Sequence, residues 1–252
     1  MRLHIGDHNF GAGALILPFT TQVVTALTQS LRIASVVARV AAVTLLASSS
    51  LGAQAFNYPA LQTPSASVRD YTGALVGGAG TTLLFQWREE AGPGMHWQFD
   101  GGFADPKGSA DPLLFLGVGL GRELVRARGD QPLDVLLTAG TGASFGNGTW
   151  VRIPIGASIG HTFPLEDAMS LTPFVHPRVS IDYCSTCRGS AIGGRGRGKS
   201  TASLNFDIGA HWQVNREFGL RVAATFSGSD IVGSDETVAV GLNWTPMALS
   251  RK

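Results

Sequence analysis

Residues 200–214 read STASLNFDIGAHWQV, and the spacing of their apolar side chains decides the fold. Apolar and polar residues alternate along the whole stretch. The apolar set is Leu204, Phe206, Ile208, Ala210, Trp212 and Val214, and the intervening set is Ser203, Asn205, Asp207, Gly209, His211 and Gln213. A period of two is typical of a β-strand that faces two environments, whereas an amphipathic helix needs a period near 3.6. The stretch therefore predicts a β-strand.

The preceding residues, GGRGRGKS at 193–200, match the phosphate-loop pattern G-x-x-x-x-G-K-[ST] at every fixed position. A phosphate loop needs a buried strand before it and a helix after it, so that the helix dipole faces the phosphates. Here the small, polar stretch CSTCRGSAI precedes the glycines and a strand follows them. We therefore expect a Gly/Arg-rich loop and no bound nucleotide.

Nine runs along the chain carry the same alternation, and turn residues separate them. They lie near 80–88, 95–103, 112–125, 133–144, 150–162, 169–183, 201–214, 218–228 and 236–245. The stretch Ser67–Leu75 is the best candidate for a tenth strand. The alternative is a count of eight, in which two runs merge or one is irregular. The pattern predicts an all-β, antiparallel protein.

The two faces of these strands indicate which solvent each one meets. One face is nearly continuous in Leu, Val, Ile and aromatics, and the other is rich in Gly, Ser, Thr and Asn with few charges. Only 15% of the residues are charged, which is low for a soluble protein. In this pattern, residues 67–246 resemble the small bacterial outer-membrane β-barrel proteins. The resemblance implies an up-and-down transmembrane barrel with lipid outside and a polar lumen. Because bacterial single-chain barrels close with an even number, it also implies about ten strands, with Ser67–Leu75 as the tenth.

The first 55 residues have a different composition from the rest. Arg32 and Arg39 precede the apolar run VAAVTLLA at 40–47, and AQA at 53–55 offers a cleavage site. We expect residues 1–55 to be an N-terminal extension with a secretory signal peptide. Residues 56–66 lack any period, so we expect them to form a tether. We expect residues 67–246 to form the barrel and residues 247–252 to form a C-terminal tail. Without residues 1–55 the net charge is about −1, so we expect no nucleic-acid partner.

The polar phase of the strands predicts a network in the lumen. Its expected members are Arg152, His176, Arg178, Asp182, Asn205, Asp207 and Arg221. The apolar phase predicts aromatic belts at the membrane interfaces. If the long loop at 184–200 is extracellular, Trp87, Trp97, Trp212 and Trp244 share the periplasmic rim and Tyr183 lies at the opposite one. Trp150 falls on the polar phase, which the belts do not explain.

The chain contains two cysteines, Cys184 and Cys187, in a C-x-x-C pair. Zinc would require two further ligands, and the sequence offers no second pair, so we expect a disulfide that stiffens the loop and no metal. Free thiols, a metal site and a redox role remain alternatives. The same loop carries four basic residues, Arg188, Arg195, Arg197 and Lys199, which we expect to contact lipopolysaccharide phosphates.

The sequence thus predicts an outer-membrane barrel with a structural role or a narrow, porin-like pore for small solutes. One alternative is an embedded hydrolase or acyltransferase that uses His176, and another is a soluble periplasmic barrel with an apolar ligand inside. No residue pattern identifies a catalytic set, so an enzyme is the less favoured interpretation. We expect no cofactor. The resemblance implies outer-membrane lipids, lipopolysaccharide and the barrel-assembly machinery as partners.

Overall fold

The structure is a computed structural model that describes residues 58–78, 80–106, 112–128, 131–146, 148–186, 198–229 and 236–246. The predicted signal peptide, Cys187, most of the Gly/Arg-rich loop and the C-terminal tail lie outside these residues. The described part is built from antiparallel strands joined by turns and loops.

Eleven strands follow one another along the described part of the chain. They are β1 (Arg69–Gly77), β2 (Gly80–Gly92), β3 (Met95–Pro106), β4 (Leu113–Val125), β5 (Asp134–Phe145), β6 (Thr149–Gly160), β7 (Phe163–Pro164), β8 (Ser170–Cys184), β9 (Lys199–Gln213), β10 (Phe218–Ser227) and β11 (Thr237–Trp244). The nine strands predicted from alternation all form, with ends that move by a few residues. β1 is the tenth candidate, displaced by two residues toward the C-terminus.

The sheet closes on itself. β1 pairs with both β2 and β11, and β6 pairs with β8, so ten strands form a ring in which each strand has two neighbours. β7 is a two-residue ladder that pairs with the start of β8 outside the ring. The prediction of a ten-stranded up-and-down barrel is confirmed, and the alternative of eight strands is wrong. Closure gives every barrel strand two partners, which leaves no free edge in the ring.

Burial is inverted relative to a soluble protein. The largest fully buried side chains include Arg88, Arg221, His96 and His176, whereas the exposed large side chains are apolar. That exposed set includes Leu75, Val118, Ile155, Phe206 and Leu242. An apolar outer surface around a polar interior is the arrangement of a membrane-spanning barrel. The alternative of a soluble barrel required the Leu, Val and Trp faces to point inward, and it is wrong because they point outward.

One rim of the barrel, where β1 begins and β11 ends, carries a cluster of aromatic side chains. Tyr71 stacks on Trp244 with ring centroids 5.4 Å apart and on Trp87 with centroids 6.5 Å apart. Because neighbouring strands run antiparallel, the end of β8 and the start of β9 lie at the opposite rim. Among the described residues, no helix has the length and apolar character needed to cross a membrane.

The outward face generates a prediction with a matched control. Ile155 in the middle of β6 and Leu124 near the end of β4 are each 57% exposed. Arginine at a lipid-facing position costs about 2–4 kcal/mol at the bilayer midplane and about 0–1 kcal/mol near the interface. We expect Ile155→Arg to lower the free energy of unfolding in lipid vesicles by the larger amount and Leu124→Arg by the smaller. Equal losses in urea titrations of the two variants would contradict this orientation of the outer face.

Candidate functional site in the barrel lumen

Residues 58–66, which precede β1, lie inside the barrel. Leu61, Gln62 and Thr63 are at most 5% exposed, and both prolines of the segment are buried. The hydrogen-bond partners of this segment come from β2, β3, β4, β6, β8 and β9, which surround it from several sides. Because these partners lie on widely separated walls, the segment occupies the lumen. We call residues 58–66 the lumenal segment.

The barrel wall holds the lumenal segment mainly through its main-chain carbonyls. The carbonyl of Ala60 accepts from Gln86 Nε2 at 3.1 Å and from Arg88 Nη2 at 3.2 Å. Arg88 Nη2 also donates to the carbonyl of Leu61 at 3.2 Å. On the other side of the lumen, Ser158 Oγ donates to the carbonyl of Gln62 at 2.6 Å. These bonds satisfy carbonyls that are buried away from water.

Main-chain amides and one aromatic side chain complete the attachment. The Ala60 amide donates to Asp207 Oδ2 at 3.3 Å, and the Ala66 amide donates to Glu123 Oε1 at 2.9 Å. Tyr58 donates its hydroxyl to Asp100 Oδ2 at 3.3 Å, and its ring lies 5.3 Å from that of Phe115. Burial raises the pKa of the Tyr58 phenol well above its usual value, and the Asp100 carboxyl adds to this shift, so the phenol stays protonated as a donor.

The tether expected at residues 56–66 is therefore replaced by a packed segment over its described part. The expectation rested on the absence of a hydrophobic period, which is a sound indicator only for regular helices and strands. The lumenal segment is instead held by side chains that bond its main chain, an interaction that leaves no pattern in its own sequence. Pro59 and Pro64 favour such burial because each lacks an amide proton that would need an acceptor.

The first ionic cluster of the wall joins two arginines to one carboxylate. Arg88 Nη1 lies 3.3 Å from Asp70 Oδ1, and Arg221 Nη2 lies 3.2 Å from Asp70 Oδ2. Arg221 Nη1 also donates to Thr72 Oγ1 at 2.8 Å. Asp70 and Arg88 are direct partners in the β1–β2 register, so the pairing of the strands places them face to face.

The second cluster surrounds Asp207 in the middle of β9. Arg178 Nη2 donates to Asp207 Oδ1 at 2.7 Å, and Thr225 Oγ1 donates to the same oxygen. His176 Nδ1 lies 3.2 Å from Asp207 Oδ2, and His176 Nε2 lies 2.8 Å from Thr138 Oγ1. If Nδ1 carries the proton, the ring donates to the carboxylate and accepts from the threonine hydroxyl.

A threonine, a histidine and an aspartate in this order also occur in hydrolytic relays, where the histidine activates a nucleophile. Here the guanidinium of Arg178 compensates the carboxylate charge, and Thr225 occupies a further acceptor site on it. The Asp207 carboxylate thus accepts hydrogen bonds from wall residues, and it also accepts one from the Ala60 amide of the lumenal segment. The contacts describe a hydrogen-bonded network that joins β5, β8, β9 and β10.

The third cluster lies toward the rim where β8 ends and β9 begins. Arg152 Nε donates to Asp182 Oδ1 at 2.7 Å and Arg152 Nη2 to Oδ2 at 3.1 Å, which is a two-pronged pair. Ser203 and Ser229 donate to Asp182 Oδ2 at 2.8 and 2.7 Å. Asn205 bonds Ser180 Oγ at 3.0 Å, which extends the network toward the middle of the barrel.

All seven residues expected in the lumen are buried, and the structure divides them among the three clusters. Sequence reasoning missed Asp70, Arg88, Thr138 and Tyr58. Asp70 and Arg88 sit near the ends of runs, where alternation is hardest to follow, although both share the inward phase of their strands. Thr138 is a small hydroxyl whose role becomes visible only when β5 and β8 are brought to the same wall.

A cavity of about 80 Å³ lies beside the lumenal segment. Tyr58, Ala60 and Gln62 border it on one side, and the β4 and β5 wall with Thr138 borders it on the other. Four glycines contribute to that wall, namely Gly117, Gly119, Gly140 and Gly142. A cavity of this size can hold a few water molecules. The lumenal segment thus fills one side of the lumen, and the cavity lies between the segment and the glycines of β4 and β5.

The belt aromatics and the cysteine occupy defined places. Trp87, Trp97, Trp212, Trp244 and Tyr183 all point outward and are 37–59% exposed. Trp150 is half-buried and packs against an apolar cluster inside the barrel that includes Cys184, its direct partner in the β6–β8 register. This inward packing explains why Trp150 falls on the polar phase of its strand. Cys184 is buried and disulfide-bonded. Its pairing with Cys187 stays a prediction, because Cys187 lies outside the described residues.

The fold and the lumen together define the class of protein, which is a membrane-spanning antiparallel barrel with a polar, occupied interior. Comparisons with solved structures give low similarities. The chain is 9% identical to the N-terminal β-barrel domain of Pseudomonas aeruginosa OprF (TM-score 0.35), with 71% of this chain and 98% of that one covered. It is 6% identical to the KdgM porin (TM-score 0.36, 70% and 99% covered) and 12% to LpxR from Salmonella typhimurium (TM-score 0.37, 73% and 77% covered).

No protein-family model and no curated protein matches the chain. At these identities and TM-scores, the similarities say nothing about activity. What the lumen does has to follow from its own geometry.

The Asp70 cluster generates a prediction about stability. Asp70→Ala removes the carboxylate that compensates Arg88 and Arg221 in the lumen, and breaking a buried pair by removing one partner costs about 3–5 kcal/mol. We expect a loss of that size in the free energy of unfolding, measured in detergent micelles. The matched control is Glu89→Ala, which removes the carboxylate of the solvent-exposed Arg69–Glu89 pair and is expected to have no measurable effect. If Asp70→Ala lowered the free energy of unfolding no more than Glu89→Ala does, the cluster would not stabilise the barrel.

A second prediction concerns Gly156, which lets His176 reach past β6 to Thr138. A Cβ at Gly156 would lie 2.6 Å from the Pro177 carbonyl oxygen and 2.9 Å from His176 Nε2. Overpacking of this kind costs about 1–3 kcal/mol. Gly156→Ala is expected to destabilise the barrel by that amount in urea titrations. A Cβ added at Gly73 would meet no atom within 4 Å, so Gly73→Ala should leave the urea concentration at the unfolding midpoint unchanged. A neutral Gly156→Ala would contradict the packing described for His176.

Proposed function

We propose that the chain is an outer-membrane β-barrel whose resting role is structural, with the lumen closed to solutes by residues 58–66 of the same chain. The observation that carries the proposal is the lumenal segment itself. It is buried, it bonds to several walls of the barrel, and the space left beside it is about 80 Å³. An open pore needs a continuous water-filled passage, and a barrel of this size has little room beyond its own side chains.

The location in an outer membrane is part of the proposal. The apolar outer surface supports a lipid environment, and the leader expected in residues 1–55 supports export across an inner membrane. The partners that fit this location are outer-membrane lipids, lipopolysaccharide at the rim with the long basic loop, and the barrel-assembly machinery during insertion. The aromatic belt near the chain ends would then face the periplasm.

The proposal makes a prediction for electrical recordings. Mature protein reconstituted in planar bilayers is expected to show no stable ion-conducting level at low voltage, because the lumenal segment occupies the lumen. The folded state of the same preparation is checked by gel migration, which should differ between boiled and unboiled samples since a closed barrel resists detergent at room temperature.

Large, steady, porin-like currents from protein that passes this folding check would overturn the closed-lumen role. Release of the protein from envelope fractions without detergent would overturn the membrane location. The two results are independent, so each part of the proposal is tested separately.

A further inference from the structure

We propose that the barrel lumen is a binding site for an uncharged peptide, and that residues 58–63 are its displaceable resident ligand. The inference rests on the closed-lumen role proposed above and extends it, because a displaceable ligand makes the closure reversible. Loss of the segment would convert the structural barrel into a narrow pore.

Recognition in the lumen is directed at a peptide main chain. Gln86, Arg88 and Ser158 donate to three successive carbonyls, those of residues 60, 61 and 62. Asp207 accepts from the amide of residue 60. Tyr58 adds a side-chain bond to the wall carboxylate of Asp100. A set of donors and acceptors directed at successive main-chain groups is a way to bind a peptide with little dependence on its side chains.

The ion pairs of the wall are made between wall residues and do not involve the segment. Among the described residues, Arg88 and Arg221 pair with Asp70, Arg178 pairs with Asp207, and Arg152 pairs with Asp182. Residues 58–66 carry no charged side chain. Departure of the segment therefore leaves these ion pairs intact, and water can replace the hydrogen bonds that the segment makes with the wall.

Two features of the bound segment favour release. Leu61 has φ 48°, a left-handed conformation that a non-glycine residue adopts at a cost and that would relax on release. The glycine side of the lumen leaves the cavity beside the segment, so contact on that wall is incomplete. Against these stands the burial of the Leu61 side chain in the apolar cluster with Phe115 and Leu84, which makes Leu61 the anchor.

The lining of the vacated lumen predicts the properties of the pore. The described buried residues include four arginines and four aspartates, which are Arg88, Arg152, Arg178, Arg221, Asp70, Asp100, Asp182 and Asp207. Equal numbers of the two charges give no strong preference for either sign of ion. We therefore expect small currents with a permeability ratio of K⁺ to Cl⁻ near one.

The test uses the full mature chain with Leu61→Asp, which places an unpaired carboxylate in the apolar cluster and expels the segment. The matched control is Ser65→Asp, which adds the same charge to the chain where a cavity of about 130 Å³ at the lumen mouth leaves room. Gln62→Cys in the native, Leu61→Asp and Ser65→Asp chains reports the position of the segment through a soluble maleimide, with the labelled residue located by mass spectrometry. Heat-modified migration confirms that each barrel is folded.

We expect Leu61→Asp to expose the thiol introduced at position 62 to the reagent and to conduct, whereas the native chain and Ser65→Asp stay protected and silent. A blocked synthetic peptide with the sequence of residues 58–67, YPALQTPSAS, should suppress the Leu61→Asp current when it is added to the chamber that faces the chain ends. The same peptide with aspartate in place of its leucine should leave the current unchanged.

The outcomes separate the two proposals. Steady current from the native chain overturns the closed-lumen role. If the Leu61→Asp barrel is folded and its introduced thiol is labelled but it carries no current, the proposal that loss of the segment opens a pore is overturned. Current that neither peptide suppresses, or that both suppress equally, overturns the peptide site. If the introduced thiol stays protected in the folded Leu61→Asp barrel, the segment is not displaceable.

Discussion

Compensation of charge inside the lumen is the interaction on which the rest of the structure depends. A barrel in lipid can place apolar side chains outside without cost, but every charge that points inward leaves bulk water and needs a partner nearby. Asp70, Asp182 and Asp207 each meet at least one guanidinium across a strand pair. Three of these links, β1 to β2, β6 to β8 and β8 to β9, join neighbouring strands, and the pair of Asp70 with Arg221 links β1 to β10, which is distant in sequence.

The strand register converts sequence alternation into these contacts. Arg152 is the direct partner of Asp182, and His176 is the direct partner of Asp207. A shift of one residue would turn each of these side chains toward lipid. The register thus determines which residues share the lumen, and the networks in turn favour that register over its neighbours. The lumenal segment adds bonds to the same walls without adding charge.

The architecture was predictable from the chain because a period of two over many residues has few interpretations. Nine of the ten strands, the inverted faces and the inward set from Arg152 to Arg221 follow from alternation, whereas the tenth strand was inferred from the even strand number of bacterial barrels. Thr138 was missed because its partner His176 lies on a strand beyond β6 in the ring and 38 residues away in sequence. The lumenal segment was missed because its attachment depends on donors such as Arg88 and Ser158, which lie on other strands. Pairing across the lumen is a tertiary property, so no local pattern encodes it.

The central claim is that residues 58–66 occupy the lumen, and a nuclear Overhauser measurement tests it most directly. The ring centroids of Tyr58 and Phe115 lie 5.3 Å apart, and Phe115 points inward from β4. In detergent micelles, selectively labelled protein should give a cross-peak between the ring protons of these two residues. A Tyr58 ring with intraresidue cross-peaks alone, accompanied by the narrow resonances of a solvated chain, would contradict the account.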